Sequence, residues 1–426
     1  MLIQNVQAKS LVRQSYPSLF GWMEYTLNPY QGCWHDCKYC DGKSERYHMH
    51  EAFGETIKVK ANAVQLLEKF FKANDFYPVR DDVPVQLDWF GDRERKKPAT
   101  FTLFIGGGVC DVYQPAERKA RLMRQLLQAA YDYGIPVITL TKSSRVLEDM
   151  DLLCKINQET YAAVHFTVTL EDDLLQKRFE PRASSSTERF RAMAALRNAG
   201  IPSGMYLTPM LPFLSDSEEN LRGLYRKAVE SRAEFVYTSG LTLTPGRNKA
   251  EFLQTISEHF PDLLPKYKEL YGNDDLYGKP DYAAIKRLLP VRPEARAFSV
   301  GYENQMPYAA PRYVPEGRIS SNLKLSELLL KAAYVKGTLL GQWKTTAPFY
   351  KASRFLEQCP QDIYSYTREE LVRLPLAPEI HPYLIDFFTG DAPGTMSRLE
   401  REAYDRLTAS KPVEPRAEGG SCFPVL

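Results

Sequence analysis

The sequence predicts an α/β protein: a partial (β/α)6 TIM-type barrel with a mainly helical C-terminal extension. From about Trp22 to Gly240, short β-rich runs alternate with helical stretches, the pattern of consecutive βα units on a parallel sheet. Polar and glycine-rich segments follow the C-terminal ends of those runs, where barrel enzymes carry their chemistry. The 426 residues exceed what one small core organises, leaving length for an appended segment.

Residues 1–20 read as an N-terminal extension, 21–300 as the barrel domain, 301–410 as a connector and helical C-terminal domain, and 411–426 as a flexible tail. The expected strands are EYTLN (24–28), FTLFI (101–105), PVITL (136–140), AAVHFTV (162–168), GMYLT (204–208) and EFVYTS (234–239). They are followed by NPYQGC, GGGVCD, TKSS, TLEDD, PMLP and SGLT. The intervening stretches ERKARLMRQLLQAAYDYG, VLEDMDLLCKINQ, TERFRAMAALRNAG and SEENLRGLYRKAVESR carry apolar residues at three- and four-residue spacing, and two of them end in Gly. An insertion from Asn74 to Pro98 reads as an exposed loop, with Pro78, Pro84, Trp89 and the run GDRERKK. After Gly240 the rhythm stops, and a Pro-, Tyr- and Gly-containing stretch to Tyr313 reads as a cap or connector. Segments 321–342, 350–358 and 367–391 are expected to be helical, and ASKPVEPRAEGGS flexible.

A hydrophobic fraction of 44% with 25% charged residues is that of a soluble globular chain and argues against extensive disorder. A formal net charge of +2 creates no large basic field, so charge alone does not mark a nucleic-acid binder. The N-terminus has no apolar core followed by a small-residue cleavage site, and no run of about twenty apolar residues occurs, so a cytoplasmic protein without a membrane partner is expected. Of the seven cysteines, three crowd into eight positions while Cys110, Cys154, Cys359 and Cys422 are scattered. That distribution suits a reducing compartment and a metal cluster better than a disulfide framework.

The crowded set is Cys33, Cys37 and Cys40 in C-W-H-D-C-K-Y-C, directly after the first expected strand. This spacing lets one loop wrap three thiolates around one face of a cube. Three cysteine ligands leave the fourth iron of a [4Fe–4S] cluster open to the amino and carboxylate groups of a small molecule. A structural zinc knuckle is the alternative, with His35, His48 or His50 as fourth ligand. Spacing alone leaves both open; the barrel context, and Tyr39 before the last cysteine, favour the cluster.

C-x3-C-x2-C after the first strand of a partial barrel resembles the radical S-adenosylmethionine superfamily, and within it the spore photoproduct lyase-like (DNA repair photolyase-like) group. The residues carrying the resemblance are NPYQGCWHDCKYC, GGGVCDVYQPAER, LTKS, HFTVT, FEPRASSSTERF, GIPSGMYLTPMLP and LTPGRNKAEFLQ, across roughly residues 22–270. The resemblance implies a [4Fe–4S] cluster held by Cys33, Cys37 and Cys40, S-adenosylmethionine on the open iron, reductive cleavage to a 5′-deoxyadenosyl radical, and hydrogen abstraction from substrate. It also implies an external electron donor of flavodoxin or ferredoxin type.

The resemblance extends to further positions. Gly106, Gly107 and Gly108 are similar to the superfamily's glycine motif at the methionine moiety, without its usual acidic residue; a strand-end turn is the simpler reading. Lys142 and Thr167 match positions that contact S-adenosylmethionine, and Tyr39 and Glu180 join the cofactor-binding candidates. For Glu180, the start of a helix is an equal alternative. Asp111, Tyr113 and Gln114 match a D-x-Y-Q-P block and are expected on the substrate side. Cys110 is the candidate hydrogen-atom donor, although the register puts the group's donor cysteine nearer Gly108, and an incidental buried thiol is the other reading. Nucleic acid is a candidate substrate, with Arg93, Arg95, Lys96 and Lys97 as the basic rim it would need. A small molecule or peptide substrate, and a non-catalytic zinc protein, are the alternatives.

Overall fold

A computed structural model describes residues 1–16, 18–47, 49–79, 99–106, 109–390 and 394–409. Ten strands are described: β1 (Leu2–Val6), β2 (Arg13–Gln14), β3 (Tyr25–Leu27), β4 (Tyr30–Gln31), β5 (Thr56–Lys60), β6 (Leu103–Ile105), β7 (Val137–Thr141), β8 (Ala162–Thr167), β9 (Met205–Met210) and β10 (Val236–Gly240). Seven form one sheet in the order β10-β9-β8-β7-β6-β3-β2. Its strands from β3 to β10 run parallel, and β2 is an antiparallel edge. The six parallel strands coincide with the six expected runs. Among the described residues the sheet does not close, so the barrel is partial.

The parallel strands are buried on both faces, which explains their near-continuous apolar sequence. In β8 all six residues are buried. Ala162, Val164 and Phe166 pack in the main core with Leu152, Leu153, Ile156, Met193 and Leu196 of the flanking helices. Ala163 points the other way, onto Met23, Phe104 and Ile138 inside the barrel. Helix starts are set by local side chains. Ser185 and Glu188 form a reciprocal capping box ahead of the helix Ser186–Asn198, and Ser217 caps Glu218–Glu230. The Ser and Glu content expected to start a helix after Phe179 therefore acts through Ser185 and Glu188.

Two features depart from the expected organisation. Residues 1–20 supply β1, which pairs parallel with β5, while β4 pairs antiparallel with β5 on the other side. This three-stranded sheet flanks the cysteine loop. Its central strand, TIKVK, buries only Ile57 and Val59 and so shows too short an apolar alternation to announce itself. A boundary at residue 300 also falls inside the helix Pro293–Glu303, which packs on β10 and on the helices Glu218–Glu230 and Thr395–Ala409.

The C-terminal extension is helical, led by Ser320–Tyr334 and Ala347–Gln358. Leu325, Leu329, Ala333, Phe349 and Leu356 form one core with Tyr206 and Phe235 of the sheet and with Leu19 and Trp22. Each fully buried Leu or Phe there contributes about 1.5–3 kcal/mol. Trp22 Nε1 donates to Ala310 O at 2.7 Å, tying the start of the barrel to the connector. No described helix is long and apolar enough to cross a membrane.

Candidate functional site

The cysteine loop leaves β4 through Gly32, whose φ of +88° and close approach to Thr56 O (2.5 Å from a Cβ built there) require glycine. Buried Gln114 straps the loop: its Nε2 donates to Gly32 O at 3.0 Å and its Oε1 accepts from Trp34 N at 2.9 Å. Further on, Lys38 N donates to Phe179 O at 2.7 Å, and Asn248 Nδ2 reaches Tyr39 O at 3.3 Å. Lys43 Nζ bridges Asp36 Oδ1 (2.7 Å) and Glu251 Oε2 (2.6 Å), and Lys38 Nζ bonds the other oxygens of the same two carboxylates at 3.0 and 2.8 Å. The loop is thus fixed from both flanks.

Cys33, Cys37 and Cys40 line one cavity of about 430 Å³ at the C-terminal ends of the strands, together with Cys110, Tyr39, Gly106, Asp111, Lys142 and Thr167. All four cysteines are free thiols. Burial pushes each thiol above its ordinary range, Cys40 to about 11 and Cys110 to about 12. Charge on these sulfurs therefore calls for compensation. Part of it is built in: the backbone N–H groups of Asp111, Gly42 and Gly32 favour charge on Cys33, Cys40 and Cys110. Lys142 also acts on Cys37 and Cys40. Three thiols that line one cavity, with backbone N–H groups and a lysine acting on them, fit a cationic iron–sulfur group. Among the described residues, no three His, Cys, Asp or Glu side chains stand close enough together to hold a single metal ion. His35 is occupied elsewhere, with Nε2 3.2 Å from Asp111 Oδ2 and Nδ1 3.3 Å from Arg182 O. His50 Nε2 lies 3.5 Å from Gln31 O. His48 lies outside the described residues, as do Gly107, Gly108 and the run from Arg93 to Lys97.

Asp111 accepts from Thr141 Oγ1 (2.7 Å), Tyr113 N (2.9 Å) and Lys142 N (2.6 Å). Burial opposes its charge, but His35 and these donors outweigh it and hold the carboxyl at about 2. Asp111 is thus a fixed negative charge on the cavity wall. Lys142 follows β7; its Nζ lies 5.8 Å from the Tyr39 ring centre and, among the described residues, forms no ion pair. An ammonium free to meet a carboxylate is what an amino-acid moiety requires. Thr167 ends β8 and reaches the same cavity. Gly106 has φ +121° and donates its N–H to Leu27 O at 2.9 Å, so the backbone alone demands glycine there.

Glu180 does not line the cavity. It lies behind Tyr39, accepting from the Tyr39 hydroxyl, from Arg189 and, at 2.8 Å, from Gln176 Nε2. Burial opposes its ionisation, while Arg189 and Lys142 hold its carboxyl below the usual range. The fully buried Arg189 spans Glu180, Thr167 O (2.8 Å) and Ser184 O (2.6 Å). Tyr113 and Gln114 are likewise off the cavity wall, Tyr113 in the main core and Gln114 on the cysteine loop. The sequence reading gave no site role to Arg189, Phe20 and Ser239–Thr242, and named His35 only as a zinc-ligand alternative. His35 and Arg189 sit within quoted motifs and Ser239–Thr242 is the segment SGLT after the last strand, so a signal existed for those; Phe20, before the barrel, had none.

A second cavity of about 620 Å³ shares Phe20, Ser239, Gly240, Leu241 and Thr242 with the first. Its far walls come from beyond the sheet, with Tyr271, Arg292, Glu294, Tyr334 and Trp343 among them.

An open six-stranded parallel barrel with three cysteines of a C-x3-C-x2-C loop in its mouth defines the class to which the comparisons point. Residues 27–225 match the Radical SAM superfamily model. It is similar to an uncharacterized protein of Mycobacterium tuberculosis, 26% identical over 269 residues that cover 62% of this chain and 71% of that one. It is also similar to an uncharacterized protein of Methanocaldococcus jannaschii, 25% identical over 247 residues, 58% of this chain and 80% of that one. Among solved structures, spore photoproduct lyase complexed with dinucleoside spore photoproduct aligns over 68% of this chain and 80% of that chain, at 16% identity and a TM-score of 0.44.

Proposed function

We propose that the protein is a radical S-adenosylmethionine enzyme in which Cys33, Cys37 and Cys40 hold a [4Fe–4S] cluster and the larger cavity receives the substrate. The observation that carries the reading is the convergence of those three buried thiols with Lys142, Thr167 and Asp111 on one cavity at the strand ends. Bound there, the cluster and S-adenosylmethionine supply reductive cleavage of the sulfonium and a 5′-deoxyadenosyl radical that takes a hydrogen atom from substrate. An external donor of flavodoxin or ferredoxin type provides the electron.

The chain's own residues bind and orient. Lys142 pairs with the cosubstrate carboxylate, and Thr167 offers a hydroxyl to it. Glu180 and Arg189 lock Tyr39 against the cysteine loop. Cys110 is the proposed donor of a hydrogen atom to a product radical; its burial on the cavity wall, with its backbone O accepting from Asn28 Nδ2 at 2.7 Å, supports that role. The mixed charges of the larger cavity, Lys279 and Arg292 against Glu294, favour a compact substrate over a nucleic-acid strand, which needs a continuous basic track.

The test is anaerobic purification with iron, sulfide and zinc analysis, then dithionite reduction and assay of 5′-deoxyadenosine, beside a variant with Cys33, Cys37 and Cys40 all changed to Ala. About four irons per chain and deoxyadenosine only in the wild type support the reading. Zinc without iron or sulfide, and no deoxyadenosine, sinks it.

A further inference from the structure

Glu294 is the second residue of the helix Pro293–Glu303, and the helix start brings it over the end of β10. A Cβ built on Gly240 would stand 2.7 Å from Glu294 Oε1, so the carboxyl lies on the glycine that lines both cavities. This is the junction between the cysteine chamber and the larger cavity. Among the described residues, no hydrogen bond from another side chain and no ion pair satisfies this carboxyl. Burial pushes it above the usual carboxylate range and Asp216 adds to the shift, while its own backbone N–H and Arg292 pull the other way. Glu294 is half-buried on the cavity wall, and a carboxyl that no other side chain meets leaves a place for a cation or a strong N–H donor.

Its surroundings supply the rest of such a seat. Tyr237, Tyr271 and Tyr334 line the same cavity and feel the Glu294 charge. Two of their hydroxyls are already committed: Tyr271 Oη donates to Leu241 O at 3.0 Å, and Tyr334 Oη lies 2.6 Å from Thr238 Oγ1. What Tyr271 and Tyr334 offer a guest is ring surface rather than a free hydroxyl, and aromatic rings near a carboxylate are surroundings that hold an ammonium group. The two cations of the cavity stand on rings of their own, Arg292 5.8 Å from the Trp343 ring centre and Lys279 5.6 Å from that of Tyr277. Thr338 enters the wall from the π-helical turn Val335–Leu339, a geometry found frequently at functional sites.

We propose that the larger cavity takes a small amine, whose protonated nitrogen pairs with Glu294 among the rings of Tyr237, Tyr271 and Tyr334. This rests on the reading of that cavity as the substrate side. The nitrogen is then anchored at the junction, with the adjoining carbon chain beside the cysteine chamber.

The experiment measures binding of phenethylamine, 2-phenylethanol and 3-phenylpropanoate to the full-length protein by titration calorimetry. Phenethylamine is expected to bind roughly ten-fold more tightly than 2-phenylethanol, and 3-phenylpropanoate more weakly than either. In E294Q, with an unchanged melting temperature, the amine and the alcohol should bind within about two-fold of each other. The triple Cys33, Cys37 and Cys40 to Ala variant should keep the amine preference, because it alters only the other chamber. Equal binding of amine and alcohol in the wild type, or an amine preference that survives E294Q, overturns the inference. Deoxyadenosine formation without an amine preference refutes this inference alone, whereas an amine preference without deoxyadenosine refutes the radical reading alone.

Discussion

Replacing Gln114 with Ala separates two roles for a residue that the sequence places on the substrate side and the structure places under the cysteine loop. Gln114 is fully buried and makes two bonds to loop backbone, to Gly32 O at 3.0 Å and from Trp34 N at 2.9 Å. Truncation leaves that carbonyl and that N–H buried without partners, at about 1–3 kcal/mol each, so a loss of about 2–6 kcal/mol follows. In a chain this long, each kcal/mol corresponds to roughly 2 °C, which gives a fall of about 4–12 °C in melting temperature. Q114E keeps the acceptor for Trp34 but loses the donor and sets a carboxylate against the Gly32 carbonyl, so it should be at least as damaging. Thermal unfolding and iron content after anaerobic reconstitution are the measurements, and both should fall together. A Q114A protein that melts within about 1 °C of wild type, keeps its iron and loses only substrate turnover would refute the strap and restore the substrate role.

Three further outcomes are expected. Burial raises the Glu117 carboxyl from 4.5 to about 7, where it bonds the Tyr30 hydroxyl and, at 2.8 Å, Met123 N. Its folded value lies above its unfolded one, so this stabilisation is complete below about pH 4.5 and is lost as pH rises through 7. The shift corresponds to up to about 3 kcal/mol, and denaturant midpoints at pH 5.5 and 8.5 should fall more in wild type than in E117Q; parallel pH dependences would remove the argument. R189M leaves Glu180 as an unpaired buried charge and should cost about 3–5 kcal/mol in chemical denaturation, with most of the loss recovered by adding E180Q; no recovery would mean that packing, not charge, dominates. K142A should keep its iron but need roughly ten-fold more S-adenosylmethionine for half-maximal deoxyadenosine, and an unchanged requirement would remove Lys142 from cosubstrate binding.

The parallel strands were legible because each is a buried apolar run bounded by turn residues, and β7 and β8 match their expected runs to within a residue or two at each end. The cysteine loop was legible because three thiols at that spacing have few other uses. Its supports were not. The Lys38, Lys43, Asp36 and Glu251 network joins residues 208 to 213 positions apart, and single charged residues carry no mark of a distant partner. Glu180 was read as a cofactor-binding candidate and Gln114 as a substrate-side one, because polar residues in a motif read alike whether they touch a ligand or hold the residue that does. Only burial and bond partners distinguish them: both lie off the cavity wall, with their hydrogen bonds directed into the protein.

The same division bears on where specificity resides. The match to the Radical SAM superfamily model ends at residue 225, and every thiol of the smaller cavity, with Lys142 and Thr167, lies before that point. Most of the larger cavity lies after it: Tyr237 and Gly240 on the last strand, Tyr271 in the cap, Glu294 on the helix that packs against β10, and Tyr334 and Trp343 in the extension. An open sheet makes this arrangement natural. Among the described residues no further strand closes the barrel, and the interior side chains Tyr206 and Phe235 are covered by the C-terminal helices instead. The elements that complete the fold on that side therefore also shape the space beside the cysteine chamber. On the proposed reading, resemblance within the matched stretch bears on the class of reaction, and the side chains beyond it bear on the substrate.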